Sequence, residues 1–271
     1  NIVMKKKEHL DEHGWMLVKN VFTKDEIELF REYTEKNKTH KGDLLSNDSF
    51  AKVITDSRIV NILKECLGGK PLYYFGDSTF TVDSKGSGFH KDSRDRKKKN
   101  SKEYADKDYP LLRIGIYLQD HKNHSKGLVL RSKSHLYQTV HKGEIINVKS
   151  EIGDVVVWKL TTTHSANAGV LSAMPNYAIH PFITKYLPDF LKQKYTSPRM
   201  AFFATFGIDD EYTTSYIDYL KTREYAVNMM KHSQYSPNNV LQMENEGVKV
   251  LHDFNLDLID MDKLNAKFVQ L

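Results

Sequence analysis

The hydrophobic pattern of this 271-residue chain changes its period in the middle. Residues 112–118 read Leu-Arg-Ile-Gly-Ile-Tyr-Leu, an alternation that predicts a strand with one buried face. Further short segments are also rich in strand-forming residues and are separated by turn residues; they are residues 127–131, 144–148, 154–158 and 200–206. Strands that follow one another without alternating helices favour a sandwich or a barrel.

Helical patterns lie on both sides of this region. Thr23 and Glu26 have the spacing of a capping box and predict a helix over residues 23–37. A second helix is predicted over residues 57–67, because Gly68-Gly69 is a strong signal for a helix end. The pattern becomes helical again from Thr213, whereas the tail from Val240 is less regular, and we expect that tail to pack over the barrel.

No internal repeat or flexible linker divides the chain, so we predict one domain over residues 1–271. Its expected parts are an N-terminal helical and strand region (about 1–70), a β core (about 71–207) and a C-terminal helical region (about 208–271).

The composition excludes several classes of protein. Hydrophobic residues make up 39% of the chain and charged residues 28%, and no run approaches the roughly 18 apolar residues of a membrane helix. No secretory signal is visible, because the basic start leads into charged residues. Cys66 is the only cysteine, which excludes an internal disulfide and any site built from several thiolates of one chain. We therefore expect a cytoplasmic protein.

The net charge of +5 is unevenly distributed, since residues 94–102 read Arg-Asp-Arg-Lys-Lys-Lys-Asn-Ser-Lys. This run has no interleaved aromatic residues and accompanies no DNA- or RNA-reading motif, which argues against nucleic acid as a partner. Two interpretations stay open. The run is a solvated loop, or it lies at the mouth of a pocket and recruits an anionic small-molecule substrate.

One constellation carries chemistry. His90 and Asp92 are two residues apart, so in an extended segment both side chains point to the same face and can share a metal ion. His164 follows the apolar run of residues 155–158 and supplies a third ligand from a distant strand. Two histidines and one carboxylate form the facial triad of non-haem iron oxygenases, which leaves coordination positions open.

The same segments resemble those of the phytanoyl-CoA dioxygenase family, over most of the chain. The matching segments are residues 13–22, Phe89-His90-Lys91-Asp92, residues 114–120, residues 126–135 and residues 153–167. Arg131-Ser132-Lys133 departs from the family pattern, which has a valine, proline and glycine region there.

The resemblance implies a mainly β fold with flanking helices, built on a double-stranded β-helix of the jelly-roll or cupin-like type. It implies Fe(II) held by His90, Asp92 and His164, with 2-oxoglutarate as cosubstrate and O2 as oxidant. The expected reaction is hydroxylation of a small organic molecule, with release of succinate and CO2. Related halogenases have glycine or alanine at the position of Asp92, so the aspartate argues against halogenation.

The family also has an arginine that pairs with the distal carboxylate of 2-oxoglutarate, on the strand after the distal histidine. Arg199 is the only arginine between Arg131 and Arg223, so it is the candidate. It lies farther from His164 than in the family, and we interpret residues 170–197 as an insertion, partly helical around residues 186–195 and a candidate cover for the pocket.

Other residues have secondary roles in this interpretation. Arg113 lies on the minority face of the alternating strand and is the alternative to Arg199. Ser165 and Asn167, so close to a ligand, are candidate hydrogen-bond donors to the metal ligands or the cosubstrate.

Simpler explanations exist for each residue taken alone. His90 and Asp92 could form a surface pair, His164 could be a core histidine, and Arg199 could be a structural ion-pair partner. A second His-x-Asp match, His9 to Asp11, lies in a helical N-terminus where its side chains diverge. For the whole chain, the alternatives are a catalytically silent β-helix module and a zinc hydrolase that uses the same triad. The sequence leaves the substrate and the oligomeric state open.

Overall fold

The computed structural model describes residues 2–86, 88–93 and 101–264. The α-helices of this part of the chain are α1 (Ile2–His13), α2 (Lys24–Lys36), α3 (Asp48–Ile54), α4 (Ser57–Cys66), α5 (Lys102–Ala105), α6 (Pro181–Tyr186), α7 (Glu211–Leu220), α8 (Glu224–Lys231) and α9 (Pro237–Asn245). The strands are β1 (Trp15–Val18), β2 (Leu72–Val82), β3 (Leu112–Tyr117), β4 (Val129–Ser132), β5 (Glu144–Asn147), β6 (Val155–Lys159), β7 (His164–Ser165), β8 (Met200–Gly207) and β9 (Val248–Val250).

The strands form two sheets that face each other without closing into a barrel. The larger sheet has the order β1-β6-β3-β8-β2-β9, and the smaller one has the order β5-β4-β7. All pairings are antiparallel except that of β2 with β9. Of the two predicted architectures, a sandwich or a barrel, the structure has the sandwich.

Strand β3 is buried on both faces, so the expectation of one buried face is wrong. Ile114 and Ile116 belong to a core cluster with α2, α3 and α4, which cover the outer face of the larger sheet. Tyr117 belongs to a second cluster, between the two sheets, that also contains Trp158. The alternation in the sequence separates these two environments, helices on one side and the smaller sheet on the other.

The predicted N-terminal helices are present. In α2, the Thr23 hydroxyl accepts a hydrogen bond from the Glu26 backbone N–H and the Glu26 side chain accepts one from the Thr23 N–H, which completes the predicted capping box. Helix α4 begins after Asp56, whose carboxylate caps it, and ends at Cys66, just before Gly68 adopts a φ of 69°.

Strand β2, the long strand beside β8, was not predicted. Between the pairs Tyr74↔Phe206 and Ser78↔Ala204, β2 advances by more residues than β8, so β2 contains a bulge. Gly76 lies in this bulge with a φ of 82°, a conformation that glycine adopts readily. The bulge is also where Asp77 reaches the space between the sheets.

The C-terminal tail also differs from expectation. It forms helix α9 and then strand β9, which pairs in parallel with β2 at the edge of the larger sheet. Phe254, farther along, packs beside α7 and α8 in a cluster with Phe75 of β2. No helix among the described residues is long and apolar enough to cross a bilayer.

The inserted segment, residues 170–197, has its helix earlier than predicted. Helix α6 begins with Pro181 at its first position and ends at Tyr186, where the predicted helical stretch was to start. Pro188 explains the difference, because a proline disfavours helical geometry in the residue before it. A short 3-10 turn, Asp189–Leu191, follows.

Candidate metal centre

The three predicted ligands come together between the two sheets. His90 forms an isolated antiparallel bridge with His164 of β7, with N···O distances of 3.0 and 2.9 Å. Asp92 is held by its backbone N–H, which donates to the Leu160 carbonyl at 3.1 Å. One ligand atom from each of His90, Asp92 and His164 lies within 4.8 Å of the other two. This set could hold a metal ion, and it is the only such group found among the described residues.

Both imidazoles are oriented by backbone carbonyls. Nδ1 of His90 lies 3.0 Å from the Gly88 carbonyl oxygen, and Nδ1 of His164 lies 3.0 Å from that of Thr162. A carbonyl only accepts, so both Nδ1 atoms donate to it, and Nε2 is the nitrogen of each ring that is left to bind a metal. Those Nε2 atoms lie 3.6 Å (His90) and 3.3 Å (His164) from the oxygens of Asp92. The donor set is therefore two imidazole nitrogens and one carboxylate, which is the set that a divalent iron site uses.

Asp92 is almost buried and lies close to a cation. Its Oδ2 atom is 3.8 Å from Nε of Arg113 on β3. Burial disfavours the charge of Asp92, but His164 and Arg113 outweigh it and hold the pKa of this carboxyl well below its usual range. The carboxylate is thus ionised, which metal binding requires.

Arg113 lies on the inner face of β3, as predicted, but its guanidinium is already paired with other side chains. Its Nη1 atom donates to Thr205 at 3.1 Å and lies 3.3 Å from the Asp77 carboxylate, which also accepts from the Tyr216 hydroxyl at 3.0 Å. Arg113 therefore links Asp77 to the ligand Asp92.

His164 rests against an aromatic wall. The ring of Trp158 lies 5.3 Å from the His164 ring, centroid to centroid, and Phe203 lies 6.3 Å from Trp158. Gly115 makes this packing possible, because a Cβ atom there would be 3.0 Å from Trp158 Cζ3 and 3.3 Å from Phe203 Cε1.

Arg199 stands just before β8, at the far end of the inner face, with only 3% of its surface exposed. Its Nε donates to the Lys126 carbonyl at 2.7 Å, its Nη1 donates to Ser84 at 2.9 Å, and its guanidinium carbon lies 5.5 Å above the Tyr117 ring. Its Nη2 and the Tyr117 hydroxyl are both buried without a hydrogen-bond partner in the described part of the chain. Burial raises the pKa of Tyr117 to about 12, so the hydroxyl keeps its proton at neutral pH.

This pocket fits a carboxylate. A buried cation without an ion pair is costly, and the Arg199 guanidinium forms none with a carboxylate of the described residues; Asp83, the acidic neighbour, accepts from the Arg199 backbone N–H at 2.8 Å. A bound carboxylate would accept from Nη2 and from the Tyr117 hydroxyl together, and arginine suits this role because its planar fork matches the two oxygens.

Ser165 and Asn167 lie near the metal centre but face other groups. The Ser165 hydroxyl accepts from the Asn167 backbone N–H at 3.2 Å, and the Asn167 side-chain amide donates to the Pro181 carbonyl of the insertion at 3.2 Å. The insertion also places the His180 ring 4.9 Å from Phe89, the neighbour of His90. The segment thus packs against the ligand-bearing strand; its role as a cover stays a prediction.

Sequence reasoning missed several residues around the site. Lys91, between two ligands, is fully buried and donates to the carbonyls of Thr161 at 2.6 Å and Ser134 at 2.9 Å. Asp77 was also missed. The sequence contains a signal for it, because an acidic residue inside the apolar run that starts at Leu72 is unusual for a core strand.

Two of the other histidines, His121 and His135, lie in the core. Both are buried away from the triad, and burial lowers the pKa of each to about 4. Asp11 of the second His-x-Asp match forms an ion pair with Lys159 at 2.7 Å. Residues 94–100 of the basic run lie outside the described residues, and Lys102 pairs with Glu211 at 2.8 Å.

Solved structures share this fold. The epimerase SnoN of nogalamycin biosynthesis, described as non-heme and alpha-ketoglutarate dependent, matches with a TM-score of 0.53 and 14% identity over 76% of this chain and 82% of its own. EctD from S. alaskensis, solved with 2-oxoglutarate and 5-hydroxyectoine, matches with a TM-score of 0.52 and 12% identity over 75% of this chain and 75% of its own. HygX from Streptomyces hygroscopicus, solved with nickel and 2-oxoglutarate, matches with a TM-score of 0.53 and 16% identity over 76% of this chain and 86% of its own.

These likenesses confirm the predicted jelly-roll fold, with a mostly β core and flanking helices. No protein-family model matches the sequence, and no curated protein matches it.

Proposed function

We propose that this protein is an Fe(II)- and 2-oxoglutarate-dependent oxygenase that hydroxylates a small organic molecule. The observation that carries the proposal is the convergence of one ligand atom each from His90, Asp92 and His164 within 4.8 Å, between the sheets of a jelly roll. SnoN, EctD and HygX have the same fold, and structures of all three contain 2-oxoglutarate under one of its names.

The second support is the Arg199 pocket. The dicarboxylate 2-oxoglutarate needs a metal for its oxoacid end and a cation for its other end. Arg199 and Tyr117 supply the second part, because both have a buried donor without a partner among the described residues. Trp158 and Phe203 line the inner face between the two ends and keep water away from it.

Each residue of the site has a separate role in this proposal. His90, Asp92 and His164 would hold the iron, and Arg199 would fix the distal carboxylate. Bound iron, with 2-oxoglutarate and O2, supplies an oxidant that hydroxylates a C–H bond while 2-oxoglutarate becomes succinate and CO2. Three protein ligands leave room for the cosubstrate and O2. Thr162 and Gly88 keep both imidazoles in the tautomer that binds metal.

Two finer assignments are part of the proposal. The motif Phe89-His90-Lys91-Asp92, with the distal His164, supports a place in the phytanoyl-CoA dioxygenase family. A cytoplasmic location is supported by the single cysteine, Cys66, which is buried.

The direct test is an anaerobic titration of the purified apo-protein with Fe(II) and 2-oxoglutarate, following the weak visible charge-transfer band of the chelate. We expect a band that needs both additions and disappears in His164→Ala. The matched control is His124→Ala, because His124 lies outside the triad. Wild-type protein that folds but gives no band would contradict the proposal.

Metal analysis separates the alternatives. Tight zinc binding with hydrolytic activity that does not depend on O2 would favour the zinc hydrolase. A folded protein that holds neither metal would favour the silent binding module.

A further inference from the structure

A cavity of about 440 Å³ lies on the far side of Arg113 from Asp92, so that one side chain separates it from the candidate metal centre. Its walls come from four places: Arg113 of β3; Asp77, Thr79 and Phe80 of β2; the loop of residues 40–42 between α2 and α3; and helix α8 with the His232 that follows it. A cavity of this size holds a small molecule.

Arg113 joins this cavity to the metal ligands. The side chain lines the cavity and also places its Nε 3.8 Å from Asp92 Oδ2. A molecule that fills the cavity as far as Arg113 therefore contacts the side chain that lies 3.8 Å from Asp92. This placement makes the cavity a candidate binding site for the molecule that is oxidised.

One cation of the cavity lining, Lys41, is not balanced by a carboxylate of the described residues, whereas Arg113 is balanced by Asp77 and Asp92. Arg113 and Lys41 are its cations, and Asp77 is the one acidic residue in its lining among the described residues. The Asp77 carboxylate is already engaged by Arg113 and the Tyr216 hydroxyl. Lys41 is exposed and forms no ion pair with any described carboxylate. Its charge is therefore available to a ligand.

The rest of the lining suits a carbon skeleton. Phe80, Met229 and the ring of Tyr225 give the cavity apolar surface between the two cations. His40 and His232 add ring nitrogens, and in each case one nitrogen is committed to a carbonyl, of Asp43 at 2.9 Å and of Asn228 at 2.7 Å.

We propose that this cavity is the substrate site and that its substrate is a small organic anion, with a carboxylate or phosphate group held by Lys41 and its apolar body directed towards Arg113 and the metal. The inference rests on the proposed oxygenase function for the reaction, but the binding of the anion does not. The basic run of residues 94–102 is not needed for it.

Isothermal titration of the apo-protein, without iron and without 2-oxoglutarate, tests the binding. The probes are phenylphosphonate, benzyl alcohol and benzylammonium, which share an aromatic body and differ in charge. We expect phenylphosphonate to bind and the other two to bind at least about tenfold more weakly. Equal binding of the three, or no binding of phenylphosphonate, would overturn the proposal.

Variants locate the bound probe. Lys41→Glu should weaken phenylphosphonate binding about tenfold or more, whereas Lys41→Arg should keep it. Lys36→Glu is the matched control, since it makes the same change of net charge on an exposed residue away from the cavity. Asn228→Trp should fill the cavity and also prevent binding, with the melting temperature of each variant measured to confirm folding.

The Arg199 pocket is the competing anion site. Phenylphosphonate binding that survives Lys41→Glu but disappears in Arg199→Gln would place the probe there and overturn the assignment of the cavity. The iron titration remains a separate result: a failure to bind iron with intact Lys41-dependent anion binding contradicts only the oxygenase function.

Discussion

The guanidinium of Arg199 lies over the ring of Tyr117, with 5.5 Å from its central carbon to the ring centroid, and each residue keeps one buried donor without a partner among the described residues. Arg199→Gln should therefore weaken 2-oxoglutarate binding by about 30-fold or more, because it removes a charged, forked donor. Tyr117→Phe should cost about 5- to 10-fold, the value of one hydrogen bond. The chelate band, titrated with 2-oxoglutarate at saturating iron, measures both.

Iron binding without the cosubstrate is the control for these variants. Arg199→Gln and Tyr117→Phe should bind Fe(II) as the wild type does, since neither residue belongs to the triad. Unchanged 2-oxoglutarate affinity in Arg199→Gln would move the cosubstrate elsewhere, with Arg113 next to be tested.

Gly115 should be intolerant of a side chain. In Gly115→Ala the new methyl group would be 3.0 Å from Trp158, which packs on His164. We expect a loss of about 1 to 3 kcal/mol in the free energy of unfolding and weaker iron binding, because the aromatic wall must shift. Urea unfolding and iron titration measure the two effects. A variant as stable as the wild type and with unchanged iron affinity would show that Trp158 does not position His164.

Lys91 should stabilise the ligand-bearing segments by a buried pair of hydrogen bonds. Lys91→Met removes donors to the carbonyls of Thr161 and Ser134 and leaves both acceptors buried. We expect the free energy of unfolding to fall by about 3 kcal/mol, with weaker iron binding, since Thr161 leads into His164. The control is Lys133→Met, at an exposed lysine that pairs only with Glu12 on the surface. Equal stability of the two variants would contradict this role.

The ion pair at the start of α2 should give a pH-dependent contribution to stability. Hydrogen bonds from Arg58 lower the pKa of Glu26 to about 2 from an ordinary 4.5. A carboxyl with a depressed folded-state pKa stabilises the fold fully above its unfolded pKa and loses this effect as the pH falls towards the folded value.

Glu26→Gln should accordingly lower the free energy of unfolding by about 1 kcal/mol at neutral pH, and the difference from wild type should shrink as the pH falls from about 4.5 towards 2. Urea unfolding at several pH values measures it. Glu28→Gln, at an exposed position of the same helix, should show neither effect. A difference for Glu26→Gln that stays constant with pH would mean that the carboxylate charge is not responsible.

The parts of this molecule that the sequence predicted are those fixed by local rules. The capping box of Thr23 and Glu26 is a contact between near neighbours, so its spacing is visible in the chain itself. The period of two in β3 is visible because successive side chains face different surroundings, the helices on one side and the smaller sheet on the other. His90 and Asp92 were found for the same reason, since ligands two residues apart on an extended segment have to face one way.

Other features depend on partners far away in the chain. Strand β2 was not predicted because Gly76 and Asp77 interrupt its apolar pattern. The bulge that accommodates these two residues forms only when β2 pairs with β8. The tail after Asn245 became an edge strand because β2 offered a free edge to Val248–Val250. Local propensity gives no sign of either pairing.

The sequence by itself determined the candidate ligands and the alternation of the core strands, because side-chain chemistry and strand period are properties of the chain. Only the tertiary structure distinguishes the surroundings of the two candidate arginines. Arg113 has Asp77 and Asp92 as neighbours, whereas Arg199 is buried with a donor unsatisfied among the described residues. Both are arginines on strand-like segments, and the difference between them is made by residues that lie far from each in sequence and within a few ångströms in space.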